Sequence, residues 1–258
     1  MSYRALSLEG RVAVVVGGTT GIGRALALGL AEAGADVVAS ARGAANLEIV
    51  AAEIEARGRR TLRVPSDVTD RASLEALRDR VVAGLGQVDI LVNCAGRTQR
   101  RPTLDVTEAE WNGILDTNLT GTLRGCQIFG PAMLERGYGR IINIASIGSF
   151  VALFEVAAYA ASKAAVAALT RQLAIEWGAR GVCVNAIAPG VFRTALNREL
   201  LDGTARGQEF LARAPMRRFG RIEELAGAAV FLASESASFV NGEVLVVDGG
   251  FLASGVNQ

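Results

Sequence analysis

The sequence predicts an α/β protein: a doubly wound parallel sheet of about seven strands with helices on both faces. Three observations carry that prediction. Short runs of β-branched residues alternate with longer stretches of helical periodicity. The short runs lack polar alternation, the pattern of strands buried on both faces. Half of the 258 residues are hydrophobic, and no proline- or serine-rich linker divides the chain, so residues 1–258 read as one domain.

Taken in order, Arg11–Val16 (RVAVVV) is a buried strand, and the helix Gly21–Ala33 follows a glycine-rich turn. Asp36–Ala41 is the second strand and Ala45–Ala56 the second helix. Thr61–Val64 reads as a short third strand, ahead of helix Arg71–Gly84 and strand Asp89–Val92. A helical region spans Thr107–Glu135, with interruptions expected near Gly121 and Pro131. Strand Arg140–Ala145, the alanine-rich helix Val156–Trp177, strand Val182–Ile187, helix Arg221–Ala233 and strand Glu243–Val247 complete the alternation. The stretch from about 189 to 219 shows no clear period; an irregular segment that long inside a compact domain suits a substrate loop.

Composition removes whole classes of chemistry. There is no histidine, which excludes Ser-His-Asp and Cys-His nucleophilic catalysis and histidine-ligated metals. Cys94, Cys126 and Cys183 are scattered and form no CxxC pair, so reduced thiols in a cytoplasmic protein are expected, with no metal site. A net charge of +1 gives no bulk field for nucleic acid. No signal-type segment or membrane-length apolar run is expected to direct the chain to a membrane.

The positive charge is almost all arginine. Twenty-six of the 27 basic residues are arginine, and the one lysine, Lys163, stands four residues after Tyr159. On a helix that spacing puts both on one face. A lysine supplies a compact cation with three donors, which a planar guanidinium cannot imitate. The turn Val16-Gly17-Gly18-Thr19-Thr20-Gly21-Ile22-Gly23 lies between the first strand and first helix, where a Rossmann-type fold holds a dinucleotide pyrophosphate. An acidic residue about twenty positions on would select NAD. Here the second strand ends in Ala41-Arg42, and Asp36 lies at its far end. Arg42 therefore points to NADP(H) in preference to NAD(H).

Gly17-x3-Gly21-x-Gly23, Asn93-Cys94-Ala95-Gly96, Asn118, Ser146, Tyr159-x3-Lys163, Pro189-Gly190 and Asp248-Gly249-Gly250 occur in the order of the short-chain dehydrogenase/reductase family, which the chain resembles over essentially its whole length. Val16 and Cys94 depart from the common pattern, where threonine and asparagine are usual. The resemblance implies Tyr159 as general acid/base, Lys163 lowering the phenol pKa and bonding the nicotinamide ribose, Ser146 orienting the substrate oxygen, and Asn118 completing a proton relay. It also implies cofactor contacts from Gly17, Thr19, Thr20, Gly21, Ile22, Gly23, Arg42, Asp67, Val68, Asn93, Ala95, Gly96, Tyr159, Lys163, Pro189, Gly190, Val191 and Thr194. A homotetramer is implied as well.

The implied activity is interconversion of a secondary alcohol and a ketone, on a sugar, polyol or sugar acid. Members of the gluconate 5-dehydrogenase and glucose 1-dehydrogenase type are the nearest in pattern. The alternative is a 3-oxoacyl-carrier-protein reductase or general ketoreductase; a non-catalytic nucleotide-binding relative would have lost the tyrosine or the lysine. Arg97, Arg100 and Arg101 could meet a substrate carboxylate. Phe150 and Leu153, beside the expected cleft, favour a less polar molecule, and the far wall is expected from Phe192–Phe219.

Overall fold

The computed structural model describes residues 3–194 and 197–255. Among them the strands are β1 (Val12–Val16), β2 (Asp36–Ser40), β3 (Ile90–Asn93), β4 (Gly139–Ile144), β5 (Val182–Pro189) and β6 (Val244–Val247). The main helices are α1 (Gly21–Glu32), α2 (Ala44–Glu55), α3 (Arg71–Leu85), α4 (Glu108–Leu115), α5 (Gly121–Arg136), α6 (Ala157–Trp177), α7 (Arg198–Leu201), α8 (Ala205–Arg213) and α9 (Ala226–Ala233). All strand pairs are parallel, in the order β2-β1-β3-β4-β5-β6.

The alternation within β1 explains its composition. Ala13 and Val15 point into a cluster with Leu26 and Leu30 of α1, Ile54 of α2 and Leu232 of α9. Val12, Val14 and Val16 point the other way, onto Leu74 and Leu77 of α3, Phe129 of α5 and Leu173 of α6. A strand sandwiched between two helical layers needs apolar side chains at every position, and each buried valine contributes about 2 kcal/mol. The chain winds from β1 outward to β2, then returns to place β3 on the other side of β1. This reversal opens a crevice at the carboxyl ends of β1 and β3, where Val16 and Asn93 are paired.

Two expectations need correction. Thr61–Val64 is not a strand, so the sheet has six strands among the described residues. The segment runs beside β2, but backbone bonds join it only at its ends, Val37 N–H to the Arg60 carbonyl and Ser66 N–H to the Ala41 carbonyl. Between them the Ser40 hydroxyl donates to the Val64 carbonyl, so a side chain replaces the ladder. The stretch 189–219 is not irregular throughout: it contains α7 and α8, and residues 195 and 196 lie outside the described part. Thr204 starts α8 by accepting the Gly207 N–H at 3.0 Å. A bridge between Phe192 and Gly220 closes the base of the excursion.

The interruption expected near Gly121 is a single π-helical turn, Asp116–Thr120, joining α4 to α5 without a break. Such turns relocate one residue out of helical register and often mark functional positions. Here it carries Asn118, which is fully buried. Pro131 is accommodated within α5.

Candidate active site

The turn after β1 is shaped by close backbone approach. Gly17 has φ +80°, and a Cβ there would lie 2.5 Å from the Ala95 nitrogen. A Cβ at Gly23 would lie 2.0 Å from the Gly17 carbonyl oxygen. Only glycine lets the turn fold onto the start of α1 and onto the segment after β3 at the same time. Gly17 and Gly18 both donate to the Ser40 carbonyl, at 2.7 and 3.1 Å. The space over Gly21 is open, bordered by the Thr194 methyl 3.8 Å from a notional Cβ. Thr20 is exposed, Thr19 is buried, and Ile22 packs partly against the core. The result is a backbone cradle at a helix N-terminus, suited to a pyrophosphate.

Arg42, Asp67 and Val68 gather at the carboxyl end of β2. The Arg42 side chain is 81 % exposed and sits 3.9 Å from the Asp67 carboxylate. Asp67 is held below the usual carboxylate range by the Thr69 N–H and hydroxyl, at 2.9 and 2.7 Å. The Val68 carbonyl accepts from Arg124 at 3.0 Å, and its side chain packs against Gly121. Asp36 is committed elsewhere, to Arg60.

After β3 the chain folds into a clamp. The Asn118 carboxamide accepts the Arg97 N–H at 2.8 Å and donates to the Arg97 carbonyl at 2.9 Å, as a strand partner would. Its second amide hydrogen goes to Ser162 at 3.0 Å, and Ser162 donates to the Tyr159 carbonyl at 2.7 Å. Asn118 thereby ties the Ala95–Gly96 segment to α6. Asn93 ends β3. Its side chain is buried inside the sheet–helix layer, donating to Asn143 at 2.9 Å, and Asn143 donates to Thr170 at 3.0 Å. Only its backbone is left to face the crevice.

Ser146, Tyr159 and Lys163 converge at the end of β4 and the start of α6. A Cβ at Gly148 would touch Ser146 Oγ at 3.5 Å, Leu153 Cδ1 at 3.7 Å and Tyr159 Cε1 at 3.8 Å. Ser146 Oγ accepts the Gly148 N–H at 3.0 Å. Burial pushes the Tyr159 phenol above its ordinary value, and the hydrogen bond with Ser146 opposes this. Lys163 is 5 % exposed, and burial pushes it down to about 8, opposed by Cys94. Its Nζ donates to the Ile144 carbonyl at 2.6 Å and lies 5.8 Å from the Tyr159 ring centre. The Lys163 ammonium is thus turned to a main-chain oxygen, and burial is the largest influence on both groups.

That burial has a stability signature. A fall from 10.5 to about 8 costs the folded state about 3 kcal/mol at pH 7, at about 1.36 kcal/mol per pH unit. The unfolded chain holds the extra proton between pH 8 and 10.5, so this penalty is relieved as pH rises through that window. Lys163→Met, which keeps the apolar stem, is expected to stabilise the protein by about 2 kcal/mol at pH 7. Urea unfolding at pH 7 and pH 10.5 checks this, and a gap that stays constant would contradict it.

Pro189, Gly190, Val191 and Thr194 lead from the end of β5 to the glycine turn. Gly190 donates to the Val247 carbonyl at 2.8 Å, and Asn197 holds the Thr194 N–H at 2.7 Å. Arg100 pairs with Glu155 at 2.8 Å and Arg101 with Glu110 at 2.9 Å, whereas Arg97 carries its guanidinium past Gly113 at the surface. Leu153 packs with Ile147, Phe210 and Phe251; Phe150 is half exposed. Ser162, Ser149 and the Ile144 carbonyl were not singled out from the sequence. Ser162 had a visible signal, a hydroxyl between Tyr159 and Lys163 in an alanine-rich helix. Ser149, which donates to the Lys163 carbonyl at 2.8 Å, had none.

A glycine cradle at the switch point, with a serine–tyrosine–lysine constellation at the end of β4 and the start of α6, defines a dinucleotide-dependent oxidoreductase acting on CH–OH groups. Residues 16–252 match the family profile described as enoyl-(acyl carrier protein) reductase. The chain is 42 % identical to 2-dehydro-3-deoxy-D-gluconate 5-dehydrogenase of Bacillus subtilis (strain 168), covering 97 % of this chain and 98 % of that protein. It is 42 % identical to D-threitol dehydrogenase of Mycolicibacterium smegmatis, covering 95 % and 94 %. Among solved structures, gluconate 5-dehydrogenase from Burkholderia cenocepacia J2315, in complex with NADP and tartrate, superposes with a TM-score of 0.93 at 39 % identity, covering 97 % and 98 %. The chain belongs to the short-chain dehydrogenase/reductase family. No helix among the described residues is long and apolar enough to cross a membrane.

Proposed function

We propose that the protein is an NADP-preferring dehydrogenase/reductase that interconverts a secondary alcohol and a ketone on a sugar acid or polyol. The observation that carries this reading is the convergence of Ser146, Tyr159 and Leu153 on one point beside Gly148. The named relatives act on a deoxy-gluconate and on threitol, and a solved relative was crystallised with NADP.

The residues present fit the cofactor: glycines that let the turn fold tightly on its own backbone and leave the space over Gly21 open, and an exposed Arg42 guanidinium just past the second strand, with Asp67 3.9 Å away. Gly17 to Gly23, with Thr194 across from Gly21, would hold the pyrophosphate, and Arg42 the 2′-phosphate. Asp67 and Val68 would border the adenine; backbone at Asn93, Ala95 and Gly96 would border its ribose. Pro189, Gly190 and Val191 would flank the nicotinamide. When bound, NADP(H) supplies or accepts the hydride.

The protein handles the proton. At neutral pH the Tyr159 phenol is protonated, the state that donates to a carbonyl oxygen during reduction. Ser146 orients that oxygen and stabilises its developing charge. Oxidation needs the phenolate, and so needs the Lys163 ammonium to turn from the Ile144 carbonyl toward the phenol. Asn118 fixes the loop and helix between which Nζ moves. The whole chain acts as one cofactor-binding domain with its substrate segment at 189–219. The exposed Ile175 and Phe239 and the family membership support a homotetramer, and the three unpaired cysteines support a cytoplasmic setting. Light scattering giving four times the chain mass is the expected result.

A substrate panel tests the reading: gluconate, threitol, glucitol and acetoacetyl thioester with NADP(H) and NAD(H). Turnover of sugar acids or polyols with NADP is expected; activity confined to the thioester would replace it with the acyl reductase reading. Arg42→Ala should reduce kcat/KM for NADP about tenfold more than for NAD, the worth of one charge-assisted contact. Equal losses with both cofactors would remove Arg42 from the selectivity.

A further inference from the structure

We infer that Arg206, on helix α8 of the substrate segment, is a specificity-determining residue that receives the carboxylate of a sugar-acid substrate at the rim of the cleft. This rests on the sugar-acid reading above. The arginines after β3 were the sequence's candidates for that task, but Arg100 is held by Glu155 at 2.8 Å and Arg101 by Glu110 at 2.9 Å. Arg206 is differently placed. Its Nη1 donates to the main-chain carbonyl of Phe154 at 3.2 Å, a neutral partner, and its guanidinium lies 5.4 Å from the Phe210 ring centre.

Phe154 follows directly on Leu153, whose side chain stands against Gly148 beside Ser146 and Tyr159. Arg206 therefore meets the chain one residue beyond the side chain that stands beside Ser146 and Tyr159. The segment it meets is rigid: Glu155 has φ +63°, its carbonyl accepts the Arg101 N–H at 2.8 Å, and its carboxylate is fixed by Arg100. Arg206 is half-buried, and its affinity for its proton is lowered first by burial and then by the Arg100 charge; Glu209 and Glu155 offset this in part. The Arg206 fork is thus partly desolvated and, beyond its bond to the Phe154 carbonyl, keeps donors to spare. A substrate carboxylate can take two parallel hydrogen bonds from the fork. A neutral polyol cannot.

The test compares gluconate with glucitol, the same carbon chain with CH2OH in place of the carboxylate, using NADP+ and the full-length protein. In Arg206→Ala the ratio of kcat/KM for gluconate to that for glucitol is expected to fall at least tenfold, the loss lying mainly in the KM for gluconate. Arg206→Lys should recover part of the ratio, because charge returns without the fork. An unchanged ratio, with or without a common loss on both substrates, would reduce Arg206 to a loop anchor and overturn the inference while leaving the dehydrogenase reading intact. A parent enzyme that oxidises glucitol and not gluconate would also overturn it and leave a polyol dehydrogenase. Turnover of neither would overturn both.

Discussion

Lys163→Arg is expected to lower kcat by a factor of about 10² to 10⁴, although the charge is kept. Nζ is buried, 2.6 Å from the Ile144 carbonyl, and stands 3.7 Å from where a Gly96 Cβ would be. A planar guanidinium is wider than an ammonium and cannot turn within that space without displacing backbone; overpacking of this kind costs about 1–3 kcal/mol. The more specific consequence concerns the proton. In the proposed mechanism Lys163 leaves Ile144 and approaches the phenol for oxidation, and a fork wedged against the sheet cannot make that movement. Tyr159 would then keep the raised pKa that burial gives it. The rate of alcohol oxidation in Lys163→Arg should therefore rise with pH across a range displaced upward by at least one pH unit from the parent, on the order of one lost charge contact. Ketone reduction, which uses the protonated phenol, should suffer less from this shift. Tyr159→Phe separates the two effects: it removes the proton donor and should be inactive in both directions at every pH. Parent-like pH–rate profiles in Lys163→Arg would show that the lone lysine is not needed as a compact cation.

The parts of this arrangement that the sequence displays are those governed by local periodicity. Tyr159 and Lys163 are legible as a pair because a helix repeats every 3.6 residues. The glycine turn is legible because backbone crowding at Gly17 and Gly23 admits no other residue. Strands β1, β3, β4 and β5 are legible because burial on both faces demands unbroken apolar runs. Thr61–Val64 imitates such a run, but whether it joins the ladder depends on how Ser40 spends its hydroxyl, which no pattern within residues 61–64 encodes.

Tertiary pairing hid the rest. At the end of β3, strand alternation turns the Asn93 side chain inward to Asn143, fifty residues away, a pairing no local pattern displays. Arg100 and Arg101 look like free cations until Glu155 and Glu110 are brought to them. Helix α8 is polar along much of its length, so its period is carried by few apolar residues, and Arg206 within it gave no signal. Ile144 enters only through its carbonyl oxygen, which every residue possesses.

Asn118 shows how such hidden pairing supports the chemistry, and Asn118→Leu is expected to damage both stability and turnover. The substitution keeps the volume and removes three hydrogen bonds at once: two with the Arg97 backbone and one with Ser162. The Arg97 N–H and carbonyl can regain water only by moving outward, because the site they leave is fully buried. Orphaned polar groups cost about 1–3 kcal/mol each, so a net loss of about 3 kcal/mol is expected after partial resolvation. The displaced segment is the one that carries Ala95 and Gly96, against which both the glycine turn and Lys163 are packed. A shift of about 1 Å there would misplace the reacting groups enough to lower kcat roughly 100-fold. Denaturant unfolding and steady-state kinetics on the same preparation distinguish the two effects. A destabilised variant with the parent's kcat would mean that Asn118 only holds the fold. A variant of normal stability would mean that the clamp on Arg97 is made good by water. The expected result is loss of both, because the same three hydrogen bonds close the π-helical turn onto the loop after β3 and onto the helix of Tyr159 and Lys163.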